Sequence, residues 1–326
     1  MRAVVMLEHG GPEVLKLSEQ PAPEPGEFDL LVEVHATSVN PVDAKVRRAG
    51  AGRKFPLILG YDVSGTVVAC GARVVGFAPG DEVYGCPSLF GNGANAELVL
   101  LDARSAAKKP NSLDHATAAC LPLVSLTAWE ALHERARIEP GETILVHAGG
   151  GGVGHIAVQL ARLHGCKVLT TAGRPESIAF CSEELGADEV IDYSSNDFVA
   201  RVSELTHGKG LRCVFDTVGG EVFERSIECV APCGQLVTIL DSKPGARASA
   251  LLYRSITVHY EFMGARVAYG EHPERQGAIL AGIASLVDRG LLRPHVSDRF
   301  ALESVADGHR QIETGHTLGK VAIAVR

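Results

Sequence analysis

The sequence predicts an α/β protein of two domains, a mainly β domain and a doubly wound parallel six-stranded sheet with helices on both faces. Three observations predict this. Strands and helices alternate strictly from residue 143 to residue 262, the pattern of a parallel sheet. Short strands punctuated by glycine turns fill residues 1 to 110. Between them, residues 142–162, ETILVHAGGGGVGHIAVQLAR, read as strand, glycine turn, helix.

The elements follow in order. Residues 2–7 and 15–19 are strand-like and joined across Gly10-Gly11-Pro12, and residues 21–26 form a turn-rich connector. Residues 30–38 predict a strand. Pro41 then opens a short helix to residue 49, because proline costs nothing at a first helical position. Residues 63–69, 81–84 and 95–101 are further strands, and glycines at 71, 76, 80 and 91–93 separate them. This spacing suggests a partly open barrel. From 113 to 137 the period turns helical, as two helices meeting around 122–125. Strands at 143–147, 167–171, 189–192 and 213–216 are each followed by a helix, and 235–240 and 256–262 complete six strands. Six are the number needed for the two mononucleotide-binding halves of a Rossmann domain. The tail carries a helix at 274–288, a strand at 296–301, a helix at 303–314 and a strand at 321–325. It is too short to stand alone and is expected to rejoin the first domain. The predicted domains are therefore residues 1–122 with 265–326, and residues 123–264.

Composition excludes several classes. A net charge of −8 offers no basic field to recruit nucleic acid or an acidic membrane. Mean hydropathy is +0.11, and no apolar run approaches the roughly 20 residues needed to cross a bilayer. MRAVVMLEHG is a strand pattern rather than a signal peptide, which predicts a cytoplasmic protein. The eight cysteines are scattered without a CxxC pair, and most sit in apolar surroundings, as expected of free thiols in a reducing compartment.

The spacing Gly149-x-Gly151-x-x-Gly154, between a strand and a helix, is a dinucleotide fingerprint in its proper context. A pyrophosphate must sit against bare backbone N–H groups at a helix N-terminus, where side chains would hold it off. Backbone from Gly150, Gly151, Gly152, Val153 and Gly154 is the predicted cradle. His155 reads more readily as a solvent-facing histidine than as a phosphate ligand.

Further stretches carry a family resemblance over nearly the whole chain: Asn40-Pro41-Val42-Asp43, Leu59-Gly60-Tyr61-Asp62-Val63-Ser64-Gly65, Gly80-Asp81-Glu82-Val83, Leu126-Thr127-Ala128-Trp129, Thr171-Ala172-Gly173 and Gly319-Lys320-Val321. With the glycine fingerprint they resemble the medium-chain dehydrogenase/reductase superfamily, and within it the zinc-free NADPH:quinone oxidoreductase, or zeta-crystallin-like, branch. The resemblance implies a GroES-like catalytic domain beside the Rossmann domain. Zinc members place Cys, then Gly-His-Glu, then Cys or Asp around the metal. Here those positions carry Asn40, then Tyr61-Asp62, then the neighbourhood of Leu123, with no Cys or His from Leu121 to Thr127; the four-cysteine structural lobe is also missing. Asn and Tyr are poor tetrahedral zinc donors, so no metal is expected. Without a Lewis acid, alcohol oxidation is disfavoured. Reduction of an electrophilic quinone or enone needs less help.

The cofactor expected is NADPH. The second strand ends Thr171-Ala172-Gly173-Arg174, with no carboxylate for a ribose 2′-hydroxyl, and a guanidinium there suits a 2′-phosphate. The resemblance places Tyr193 beside the adenosine, Thr127 near the nicotinamide, Leu240 and Phe262-Met263 along the nicotinamide half, and Lys320 in the cofactor cleft, while Lys45, one helical turn on from Asn40, is expected to face the nicotinamide. Asn40 offers an amide N–H to the substrate oxygen, or simply caps the turn before Pro41. Tyr61 either packs or donates a hydrogen bond or proton, and Asp43 would hold it. Cys120, in an apolar helix without a base nearby, reads as a buried thiol. Other readings remain open: an enoyl-type reductase of acyl thioesters using Arg47, Arg48, Arg53 and Lys54 as a basic entrance, or an NADPH-binding sensor or crystallin-like protein without turnover. The partners expected are a small quinone or enone and, as the resemblance implies, a second copy of the chain, with residues 256–262 pairing across a two-fold axis.

Overall fold

The computed structural model describes residues 1–50 and 52–326. Two compact units divide it, one made of Met1–Leu126 with Gly264–Arg326 and the other of Thr127–Met263. Among the described residues, no helix is long and apolar enough to cross a membrane.

The second unit is built on a six-stranded, all-parallel sheet. Its strand order is Glu189–Asp192, Lys167–Ala172, Thr143–Val146, Leu211–Asp216, Val230–Thr238, Thr257–Tyr260. Numbered in chain order this is 3-2-1-4-5-6, the doubly wound arrangement. The strands are apolar because helices cover both faces: Leu145, Leu169, Val214 and Leu236 are completely buried, packed with Phe223 and Ile227 of the helix Gly220–Cys229. Burying a side chain such as Phe223 contributes about 1.5–3 kcal/mol. The helix Phe198–Leu205 starts where the Asp197 carboxylate accepts from the N–H groups of Val199 and Ala200.

Some sequence expectations change here. The stretch 113–137 holds a short helix, His115–Ala118, then Pro122–Trp129, which widens into π-helical turns over Glu130–Arg135. The helix expected at 176–185 likewise passes from Pro175–Ala179 into a π-turn at Phe180–Glu184. The fifth strand begins at Val230 and ends at Thr238, leaving Leu240 beyond it. Two helices, Ala248–Tyr253 and Ala265–Tyr269, were not foreseen. Neither has a buried residue, so hydrophobic periodicity could not reveal them.

The first unit is mainly β. A seven-stranded sheet centres on the long strand Asp29–Val39, which pairs antiparallel with Val63–Cys70, Leu98–Asp102 and Lys320–Ala324. A smaller sheet joins Arg2–Met6 to Lys16–Glu19 and Leu57–Ile58. The helix Pro41–Ala49 follows directly from the central strand. Asn40, at that junction, and Lys320, at the start of its neighbour, therefore come together in space.

Candidate functional site

In the second unit, the glycine turn is shaped by contacts that tolerate no side chain. Ala148 turns the chain with φ +51°, and its N–H donates to Thr171 Oγ1 at 3.0 Å. A Cβ on Gly149 would collide with Thr170 Oγ1, and one on Gly154 with the carbonyl oxygen of Ala148. These two glycines let strand, turn and helix pack closely. Gly151 is the N-cap of the helix Gly152–Leu163, and His155 N–H is the first to be accepted back, by Gly151 O at 2.9 Å. The N–H groups before it lie in the first turn, which has no intrahelical acceptors.

The other residues expected at the cofactor follow the carboxyl ends of successive strands, where open α/β sheets bind ligands. Gly173 and Arg174 follow the second strand, Tyr193 the third, Leu240 the fifth, and Phe262 and Met263 the sixth. Tyr193 is 60% exposed, and its ring lies so close over Gly173 that no Cβ fits beneath it. Arg174 is half-buried at the N-cap of Pro175–Ala179. Leu240 packs on Gly219, Met263 is buried and Phe262 is half exposed. Thr127 is buried in the helix Pro122–Trp129. His155 is fully buried, not solvent-facing, with Nδ1 3.0 Å from Gly151 O. Deeper in the sheet, His147 bridges Thr171 Oγ1 at 3.2 Å and Ser226 Oγ at 2.9 Å, and burial pushes its pKa down to about 4.

In the first unit, Asn40, Asp43, Tyr61 and Lys320 are all buried. The centre of the cluster is Asp62, fully buried beside Tyr61. Its Oδ2 accepts from Ser38 Oγ at 2.5 Å and Asn40 Nδ2 at 2.7 Å, and lies 3.5 Å from Lys320 Nζ. Its Oδ1 accepts from Leu123 N–H at 2.8 Å. Lys320 Nζ also donates to Asn40 Oδ1 at 2.5 Å and Val39 O at 3.1 Å. The asparagine amide is thereby oriented from both ends, oxygen toward the ammonium and nitrogen toward the carboxylate, with its second N–H left over.

Two expectations need correction. Asp43 does not hold Tyr61: its two oxygens accept from the N–H groups of Asn40 and Gly60, each at 2.9 Å. Burial still pushes its pKa up to about 7 against the pull of those bonds. The Tyr61 hydroxyl is buried without a hydrogen-bond partner among the described residues, and burial, with Asp43 nearby, raises its pKa. Arg47 is no entrance cation. It is completely buried, with Nε on Gly10 O at 3.1 Å, Nη1 3.0 Å from His309 Nδ1, and Nη2 2.5 Å from Glu313 Oε1. Lys45 is exposed on the helix Pro41–Ala49. Cys120 is buried, and burial pushes its thiol up to about 12.

Sequence reasoning gave no role to Asp62 or Ser38. The signal for Asp62 was its place next to Tyr61, as a carboxylate retained beside a lost histidine. Ser38 carried none, being one more small residue in an apolar strand.

Comparison with known proteins places these two arrangements in a family. Residues 26–111 match the alcohol dehydrogenase GroES-like domain, and residues 185–323 match the zinc-binding dehydrogenase domain. A zinc-type alcohol dehydrogenase-like protein of Staphylococcus aureus strain COL is 33% identical over 98% of this chain and 97% of its own length. A quinone oxidoreductase of Pseudomonas aeruginosa is 34% identical over 97% of each. The structure of Escherichia coli quinone oxidoreductase complexed with NADPH superposes with a TM-score of 0.90 at 29% identity, covering all of both chains. With the glycine turn and strand order above, these matches make the chain an oxidoreductase of the medium-chain dehydrogenase/reductase superfamily.

Proposed function

We propose that the protein transfers hydride from NADPH to a quinone or an α,β-unsaturated carbonyl compound, without zinc. The observation that carries this reading is the Lys320–Asn40–Asp62 cluster. The family's catalytic metal needs three protein donors and an open position. Here Asp62 already accepts from three groups and faces an ammonium, so a divalent cation would meet a positive charge and an occupied carboxylate. Asn40 and Tyr61 add no anionic donor, and among the described residues no three His, Cys, Asp or Glu side chains converge. The donor set does not fit zinc.

The residues of the second unit fit NADPH. The first-turn N–H groups from Gly152 suit the pyrophosphate, and Arg174 suits the 2′-phosphate. The Tyr193 ring over Gly173 suits the adenine face. The E. coli relative described with NADPH supports the same choice. When bound, the cofactor supplies the hydride. The chain's own side chains polarise the acceptor. Asn40, locked by Lys320 and Asp62, aims its spare N–H at the acceptor oxygen. Tyr61 stays protonated because burial raises its pKa, so its hydroxyl donates a hydrogen bond to the oxygen that gains charge. Arg47 being buried removes one of four cations from the acyl-thioester alternative.

We also place the protein in the cytoplasm as a homodimer. Its cysteines are unpaired, and the strand Thr257–Tyr260 ends the sheet with a free edge available to a second copy. The test is NADPH consumption against quinones, enones and aldehydes, with zinc measured on the same sample. Turnover of quinones or enones at far less than one zinc per chain is expected. One zinc per chain, or no binding of NADPH, would overturn the proposal.

A further inference from the structure

Ala148 sets the shape of the glycine turn in a conformation that L side chains rarely adopt, with φ +51°. Its carbonyl accepts from Gly151 N–H at 2.9 Å and lies where a Cβ on Gly154 would stand. A rotation at Ala148 would therefore carry Gly151 and the first turn of the helix Gly152–Leu163 with it. What holds the residue is the acceptor of its N–H, Thr171 Oγ1 on the neighbouring strand, at 3.0 Å.

Hydrogen counting shows that the Thr171 hydroxyl is itself held. Ser226 has one hydroxyl hydrogen, which goes to Val222 O at 2.6 Å. Ser226 Oγ then accepts the hydrogen on His147 Nε2, 2.9 Å away. That leaves Nδ1 of the neutral ring bare, so it accepts from the Thr171 hydroxyl at 3.2 Å. The lone pairs of the Thr171 oxygen are thereby turned toward Ala148 N–H. One chain of hydrogen bonds runs from Ala148 through Thr171, His147 and Ser226 to the helix Gly220–Cys229, with each hydrogen used once. The imidazole is fixed within it. It is completely buried, and the Phe198 ring meets it edge-on with centroids 5.0 Å apart. Its own N–H donates to Phe215 O at 2.9 Å, and its carbonyl accepts from Thr217 Oγ1 at 2.8 Å. Packing alone would be served by an apolar side chain, whereas here both ring nitrogens are engaged.

We propose that His147 is a positioning residue for the pyrophosphate, acting through the Thr171 hydroxyl to hold Ala148 in the turn that bares the first-turn N–H groups. The inference deepens the NADPH reading and rests on it. The probes are NADPH and adenosine 2′-monophosphate, which lacks the 5′-phosphates and so does not meet the glycine turn. Calorimetry on the full chain gives a Kd for each. In His147→Leu, which keeps bulk without nitrogens, the NADPH Kd should rise about tenfold, what one hydrogen bond contributes. His147→Asn puts an amide oxygen near the Nδ1 position, so most of that loss should be recovered, although the smaller side chain leaves a void. The Kd of adenosine 2′-monophosphate should stay the same in both. A merely structural role predicts an Asn variant no better than Leu and losses shared by the two probes. Either result would overturn the proposal, as would an unchanged NADPH Kd in His147→Leu. Should His147→Leu fail to fold, Thr171→Val removes the hydroxyl and leaves His147 in place, and an unchanged NADPH Kd there is equally fatal. An unaltered protein that does not bind NADPH would sink the cofactor reading together with this inference, whereas tight binding with no loss in the variants would sink this inference alone.

Discussion

The ammonium of Lys320 sits 2.5 Å from the amide oxygen of Asn40 and 3.5 Å from the carboxylate of Asp62, all three side chains being buried. Lys320→Met removes the one cation that pairs with Asp62 among the described residues and leaves a buried charge unpaired. Breaking such a pair costs about 3–5 kcal/mol. Chemical denaturation should show a loss of that size, smaller in Lys320→Arg. In both variants Asn40 loses its fixed orientation, so kcat for the reductase reaction should fall further than KM rises.

Asp43 supplies a pH dependence of stability. Its pKa is raised from 3.8 to about 7 when folded, so between pH 4 and 7 the folded state binds a proton that the unfolded state has released. Its stabilising contribution is complete below pH 4 and is lost as pH rises through 7. Unfolding free energies measured from pH 4 to 8 should show this fall, and the difference between the parent protein and Asp43→Asn should isolate it.

His309 works in the opposite direction. It is buried against Arg47, and burial holds its pKa down at about 3. A base depressed below its ordinary 6.5 adds stability above pH 6.5, which is lost as pH falls toward 3. His309→Gln should therefore lose less stability than the parent between pH 7 and pH 5, read from denaturant midpoints.

Gly154→Ala places a methyl group against the Ala148 carbonyl, backbone that cannot move without opening the turn. A stability loss of roughly 2–4 kcal/mol is expected. The NADPH Kd, read by fluorescence titration, should rise more than tenfold.

Arg174→Ala tests cofactor choice. A hydrogen bond to a charged group contributes about 1.5–3 kcal/mol, so the NADPH Kd should rise by one to two powers of ten. The NADH Kd should hardly change. Equal loss for both would remove the 2′-phosphate role.

The parallel sheet and the glycine turn were legible because each depends on local signals: apolar runs between helical periods, and glycines where backbone needs room. The first-unit cluster was only half legible. Asn40, Asp43 and Tyr61 stood in motif-like strings, but the partners of Asp43 are backbone N–H groups, which leave no trace in side-chain spacing. Arg47 looked like one of several surface cations. Its burial depends on His309 and Glu313, which lie 262 and 266 residues away along the chain. Long-range pairs of that kind have no period to detect. The π-turns after Trp129 and Ala179 escaped for another reason, since an extra residue in a turn leaves the helical pattern almost intact.

The distance along the chain between Asn40 and Lys320, 280 residues, has a consequence for biosynthesis. Thr127–Met263 is one continuous stretch and has everything its sheet requires once it leaves the ribosome. The first unit does not. While the middle of the chain is being made, residues 36–39 of the strand Asp29–Val39 wait without their last partner and Asp62 lacks its counter-charge. A nascent chain halted before residue 320 should carry a folded nucleotide-binding half and a protease-sensitive, chaperone-bound remainder.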